Sequence, residues 1–116
     1  MVNSSSAHLD VVFSALSDST RRAMLRRLAD GEMSVMELAE PFSISKPAVT
    51  KHLKVLEKAG LLRRQIIGRT HRCRLVPQPL GDAAEWITFY ESFWNRKLDA
   101  LDQYLSDSGQ KGPKDA

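Results

Sequence analysis

The sequence predicts a mainly α-helical fold carrying one small β-hairpin, in the order α-α-α-α-β-β-α. Three observations lead there. Apolar residues recur at three- and four-residue spacing through most of the chain, the pattern of helices that bury one face. Between Leu61 and Leu75 the period falls to two, the pattern of strands. Capping residues stand at the joints: the Ser-Asp-Ser-Thr run at 17–20, then Ser34 and Ser45.

The elements follow in order. Leu9, Val12, Phe13 and Leu16 form one apolar stripe, which predicts a first helix over about residues 7–16. The capping run breaks the chain, and a second helix runs to about Ala29, with Met24, Leu25 and Leu28 inward and Arg21, Arg22, Arg26 and Arg27 outward; Gly31 ends it. Ser34 to Glu37 matches the S-x-x-E capping box and opens a short third helix, stopped by Pro41. Phe42 and Ile44, in the turn that follows, are expected to plug the core. SISKPAVTKHLKVLEKAG at 43–60 is the fourth helix: Ser45 caps it, Pro47 lies in its first turn, Gly60 closes it, and Val49, Leu53 and Leu56 face inward. LLRRQIIGRTHRCRL then reads as two strands joined at Gly68-Arg69-Thr70, with the Cys73 face inward and Arg72 and Arg74 outward. Pro77 and Pro79 interrupt the chain before a long helix over about 81–105. Its apolar positions spread wider than one small core uses: Trp86, Phe89, Tyr90, Phe93, Trp94 and Leu101 call for a second surface, most simply another copy of the chain.

At 116 residues, 42% apolar and 27% charged, the chain is long enough for one small soluble domain, placed at 7–105. The polar segments 1–6 and 106–116 are expected to be disordered tails. No apolar run has the length of a membrane span, and MVNSSSAHLD has no secretory signature, so a cytoplasmic location is expected. A single cysteine, Cys73, excludes an intramolecular disulfide and a two-cysteine redox switch.

The net charge of +3 conceals a segregation. Residues 44–76 hold nine Lys/Arg against one acid, Glu57, a local charge of +8; the remainder, eight bases and thirteen acids, carries −5. A basic lobe on an acidic body is the footprint of a polyanion partner. Catalysis is not expected, because no nucleophile stands with a base, no glycine loop cradles phosphate and no metal cluster is present.

Helix, helix, short helix, turn, capped basic helix, basic hairpin and long aromatic helix is the order of a winged helix-turn-helix with an added terminal helix. Over about residues 8–105 the chain resembles the ArsR-type family of bacterial winged-helix repressors. The likeness is carried by FSALSDSTRRAMLRRLADG, ELAEPFSISKPAVTKHLKVLEKAGLLRR and GRTHRCRL in that order. The resemblance implies a regulator of transcription that binds double-stranded DNA at a promoter operator, a homodimer built by its first and last helices, and a hairpin wing beside a major-groove helix. It places Leu9, Val12, Phe13 and Leu16 with the aromatic residues of the last helix at the dimer interface. Metal-sensing members carry cysteines at positions matching Ser34 and Met36, and this chain does not. His8, His52 and His71, its only histidines, leave the last helix without one, so no metal and no cofactor are expected.

Residues near the N-terminus of a groove-bound helix reach base edges. Ser45, Lys46, Thr50 and Lys51 fall there, Lys54 one turn on suits a phosphate, and Arg69 at the wing tip suits the minor groove. Arg64, Arg72 and Arg74 admit either backbone contacts or a solvated strand face. His52 admits a phosphate contact or a structural one, and Arg21 and Arg22 a phosphate contact or local pairing. Two other readings stand beside a DNA-binding repressor: a winged-helix protein-interaction module, and a regulator released by a small molecule bound near the aromatic helix.

Overall fold

Local chemistry sets the elements of the computed structural model, which describes residues 4–111 and the side chains of residues 7–107. α1 covers Ser4–Ala15, α2 Ser19–Ala29, β1 Met33–Ser34, α3 Val35–Ala39, α4 Lys46–Lys58, β2 Leu62–Ile67, β3 Thr70–Leu75 and α5 Gln78–Lys111. Three helices start on the expected caps. The Asp18 carboxylate accepts the Arg21 backbone N–H at 3.0 Å, opening α2. Ser34 Oγ accepts from the Glu37 N–H at 3.1 Å while Glu37 Oε1 accepts from the Ser34 N–H at 2.9 Å, a complete capping box. Ser45 Oγ accepts the Ala48 N–H at 3.2 Å, and Pro47 lies in the first turn of α4, where no N–H is needed. Gly60 follows α4 at φ +75°, a conformation that disfavours any side chain and turns the chain into β2.

The chain divides into two units, one through Ala83 and one from Ala84. In the first, α1 to α4 and the sheet enclose a core in which Val12, Met24, Leu38, Leu53, Leu56, Leu61 and Cys73 are wholly buried. The core holds no buried charged or polar residue among those described, so apolar burial accounts for its cohesion. The sheet has the order β1-β3-β2, antiparallel throughout. Its hairpin turns at Gly68, φ +63°, and Arg69. The register pairs Leu62 with Leu75, Arg64 with Cys73 and Ile66 with His71, which puts these six on one face. In the second unit α5 continues alone, with Trp86 and Tyr90 rings 4.8 Å apart and Phe89 and Tyr90 5.0 Å apart.

Several expectations are corrected. β1 was not foreseen: it is two residues long, pairing Met33 with Cys73 and Ser34 with Arg72, too short to leave a period in the sequence. Pro79 starts α5 rather than interrupting the chain before it, because a first-turn proline costs the helix no hydrogen bond. Ile44 is exposed, and only Phe42 of that pair packs against the core. Arg21 and Arg27 are half-buried rather than outward. Val12, expected at the dimer interface, is wholly buried within the protomer; Leu9, Phe13 and Leu16 are partly buried against the same core. α1 begins at Ser4 and α5 reaches Lys111, so helix enters both segments expected as tails. No proline interrupts 106–111, and propagation adds a hydrogen bond per residue. The rest of those tails, 1–3 and 112–116, lies outside the described residues.

Candidate nucleic-acid interface

α4 sorts its side chains cleanly. Val49, Leu53 and Leu56 are buried, while Ser45, Lys46, Thr50, Lys51, Lys54 and Lys58 are exposed. Lys46, Thr50 and Lys54 recur every four residues, and Lys51, Lys54 and Lys58 every three or four, so they form one continuous face. The first turn of that helix presents free N–H groups and a partial positive charge, which favours an approaching phosphate.

The electrostatics strengthen the contrast. Of the nine bases in 44–76, Arg64 and Arg72 meet carboxylates, those of Glu57 and Glu32; among the described residues none of the other seven forms an ion pair. Cations left without counterions on one lobe hold a positive field that only an external anion neutralises.

The hairpin arginines separate by strand face. Arg69 is exposed in the turn beside Gly68. Arg64, expected to contact the DNA backbone or to lie on a solvated strand face, stands on the Cys73 face with 21% of its side chain exposed, and its Nε donates to Glu57 Oε2 at 3.4 Å. That bond ties β2 to the last turn of α4, and it raises the Arg64 pKa further. Arg72 Nε lies 3.7 Å from Glu32 Oε1, which moors the outer face of β3 to the segment before β1. Arg63, not singled out from the sequence, faces Arg74 directly across the ladder, and both are exposed. Two like charges opposed on one sheet face repel unless an anion lies over them. The turn at Gly68-Arg69 fixes this pairing by simple counting, so the signal was present in the sequence.

Arg22, Arg27 and His52 act within the fold. Arg22 donates to the Leu16 carbonyl at 2.7 Å, and Arg27 to the Glu37 carbonyl at 2.9 Å, holding α3 against α2. His52, with 19% of its side chain exposed, lies 3.8 Å from the Asp18 carboxylate and 3.3 Å from Arg21 Nη1. Burial pushes the Cys73 thiol up from its ordinary pKa, against the pull of nearby Arg64, so the thiolate is disfavoured.

On α5, Trp86, Phe89, Tyr90, Phe93, Trp94 and Leu101 are all exposed, Phe89 by 64% and Trp94 by 60%. The ammonium of Lys97 sits 5.5 Å over the Phe93 ring. Met36, at 84%, is the most exposed apolar residue at the start of α3. Among the described residues no three His, Cys, Asp or Glu side chains gather as a metal site, and no helix is long and apolar enough to cross a membrane.

Residues 16–65 match a family model described as a helix-turn-helix domain. The HTH-type transcriptional regulator Rv2034 of Mycobacterium tuberculosis is 39% identical over 86% of this chain and 91% of its own. The transcriptional repressor SdpR of Bacillus subtilis is 37% identical over 66% and 84%. A crystal structure of an ArsR family transcriptional regulator superposes with a TM-score of 0.72 at 36% identity, covering 77% of this chain and 92% of that one.

Proposed function

The chain belongs to the ArsR family of winged helix-turn-helix transcriptional regulators, and from that premise we propose that it is a homodimeric repressor binding a palindromic promoter operator. As in its relatives, the work is DNA binding and not catalysis. The observation that carries the finer reading is the exposed face of α4, where Lys46, Thr50, Lys51 and Lys54 stand together without an ion pair among the described residues. A helix of that width enters the major groove, with Ser45, Lys46, Thr50 and Lys51 at base edges and Lys54 on a phosphate. Arg69 follows into the minor groove at the wing tip, and Arg72 and Arg74 lie along the backbone. Arg64 contributes by bracing α4 against the wing.

The exposed aromatic face of α5 supports a two-fold dimer, to which this reading also assigns Leu9 and Phe13 of α1 and Leu16 just after it. Two symmetric α4 helices then require half-sites about one helical turn apart. Ser34 and Met36 offer no thiolate, and release by a metal ion is not part of this reading. In-vitro selection of bound DNA, followed by titration of the selected sequence against salt, tests it. A palindromic consensus with a steep negative slope of log affinity on log salt is expected. Equal binding to selected and random DNA, or a flat slope, would overturn it.

A further inference from the structure

Arg21, the third residue of α2, ties three helices together. Its Nε donates to the Ala15 carbonyl at 2.7 Å and its Nη2 to the Ser14 carbonyl at 3.1 Å. Both acceptors belong to the last turn of α1, where helical carbonyls lack the i+4 donor, and the Ser14 carbonyl also accepts from the Ser17 N–H at 3.1 Å and its Oγ at 2.6 Å. Its Nη1 reaches His52 Nδ1 on α4 at 3.3 Å. A guanidinium only donates, so this contact is a hydrogen bond in the tautomer that leaves Nδ1 as the acceptor and carries the ring proton on Nε2. Asp18 completes the node: it accepts the backbone N–H of Arg21 and stands 3.8 Å from the same ring nitrogen. A guanidinium committed to two carbonyls and a ring nitrogen is spoken for within the fold.

We propose that Arg21 is a positioning residue for DNA reading, which sets the rotation of α4 through His52. The inference rests on the reading of α4 as the groove helix. The Val49-Leu53-Leu56 stripe buries α4, but apolar contact is non-directional and leaves small rotations weakly opposed. A hydrogen bond is directional, and this one acts at the turn that carries Thr50, Lys51 and Lys54. Base-edge contacts need their donors placed to about half an ångström. Flexible lysines on phosphates tolerate far more. Losing the Arg21 bond therefore harms sequence reading and spares general DNA attraction. Because the same side chain grips the end of α1, it also references α4 to a helix of the proposed dimer seam.

The test compares the wild type with Arg21→Lys, His52→Leu and His52→Asn on the selected operator and on random DNA. It adds hydrogen exchange of α4 amides in the free protein. Arg21→Lys and His52→Leu are each expected to weaken operator binding about fivefold to tenfold, with random-DNA affinity and salt slope unchanged. His52→Asn keeps an acceptor near Nδ1 and retains most of the affinity. Exchange in α4 quickens in Arg21→Lys and His52→Leu. Equal losses on both DNAs in Arg21→Lys, or a salt slope shallower by about one in an added Arg21→Gln variant, would make Arg21 a phosphate contact and overturn the proposal. So would unchanged operator affinity in Arg21→Lys, or an Asn variant as weak as the Leu variant. If the wild type itself shows no operator preference, the reading of α4 falls; unchanged α4 exchange would sink the node separately.

Discussion

Lys46 and Lys51 have no ion-pair or hydrogen-bond partner among the described residues, whereas Asp18, Ser34 and Ser45 are bound to backbone. Residues of the first kind are free to meet a ligand, and those of the second hold the helices that present them. Replacing Lys46 and Lys51 together by alanine is expected to cost about 1–3 kcal/mol of operator binding for each, read by fluorescence anisotropy, with helical content unaltered. Unchanged affinity would place the reading face elsewhere. For the caps the prediction concerns acid. The Arg21 backbone N–H holds the Asp18 carboxyl below its ordinary 3.8, and the Ser34 backbone N–H likewise depresses Glu37. A depressed folded value favours the ionised carboxylate in the native state, so its stabilisation is present above the unfolded pKa and disappears as pH falls through the folded one. Asp18→Asn keeps a cap without the titration. Its thermal midpoint is expected to match the wild type near neutrality and to fall less steeply below about pH 4. Parallel curves for the two proteins would refute the assignment.

Whole elements respond to packing and turn geometry. Leu53 is 1% exposed at the centre of the α4 stripe, and Leu53→Ala is expected to cost about 2–5 kcal/mol in denaturant unfolding. Gly68 sits at φ +63°, so Gly68→Ala strains the wing turn by about 1–2 kcal/mol without touching the core. A loss below about 0.5 kcal/mol would show that the turn relaxes. The same elements show what the sequence makes legible. Ser34 with Glu37, and Ser45 with Pro47 and Gly60, announce α3 and α4 because capping is chemistry between residues near in sequence. Alternation predicts the hairpin and the inward Cys73 for the same reason. What escapes is long-range or very short. β1 exists only because Met33 and Ser34 meet β3 some forty residues later. Counting back from the turn puts Arg63 and Arg64 on opposite faces, but only the packed fold shows that Glu57 claims Arg64. Arg21 reads as a surface base until the end of α1 and His52 are folded against it.

At the scale of the molecule, α5 leaves an apolar face in water that one chain does not cover. Sedimentation equilibrium is expected to give a dimer, and Phe89→Glu with Trp94→Glu to give a monomer whose operator affinity falls because two half-sites no longer act together. A wild type monomeric at tens of micromolar would refute the assembly. The +8 lobe and the aromatic helix are separated along the chain, so substitutions in the lobe can silence DNA binding and leave pairing intact, while substitutions in α5 break pairing and weaken operator binding only through loss of the second half-site. The lone Cys73 has a further use. The residue, 1% exposed on β3 between β1 and β2, is closed to any reagent while the sheet stays assembled. The chain therefore carries its own single-atom clock for opening of the wing. The rate at which an aromatic disulfide reagent modifies it, with and without bound DNA, would time how often the hairpin lifts and whether the operator clamps it shut.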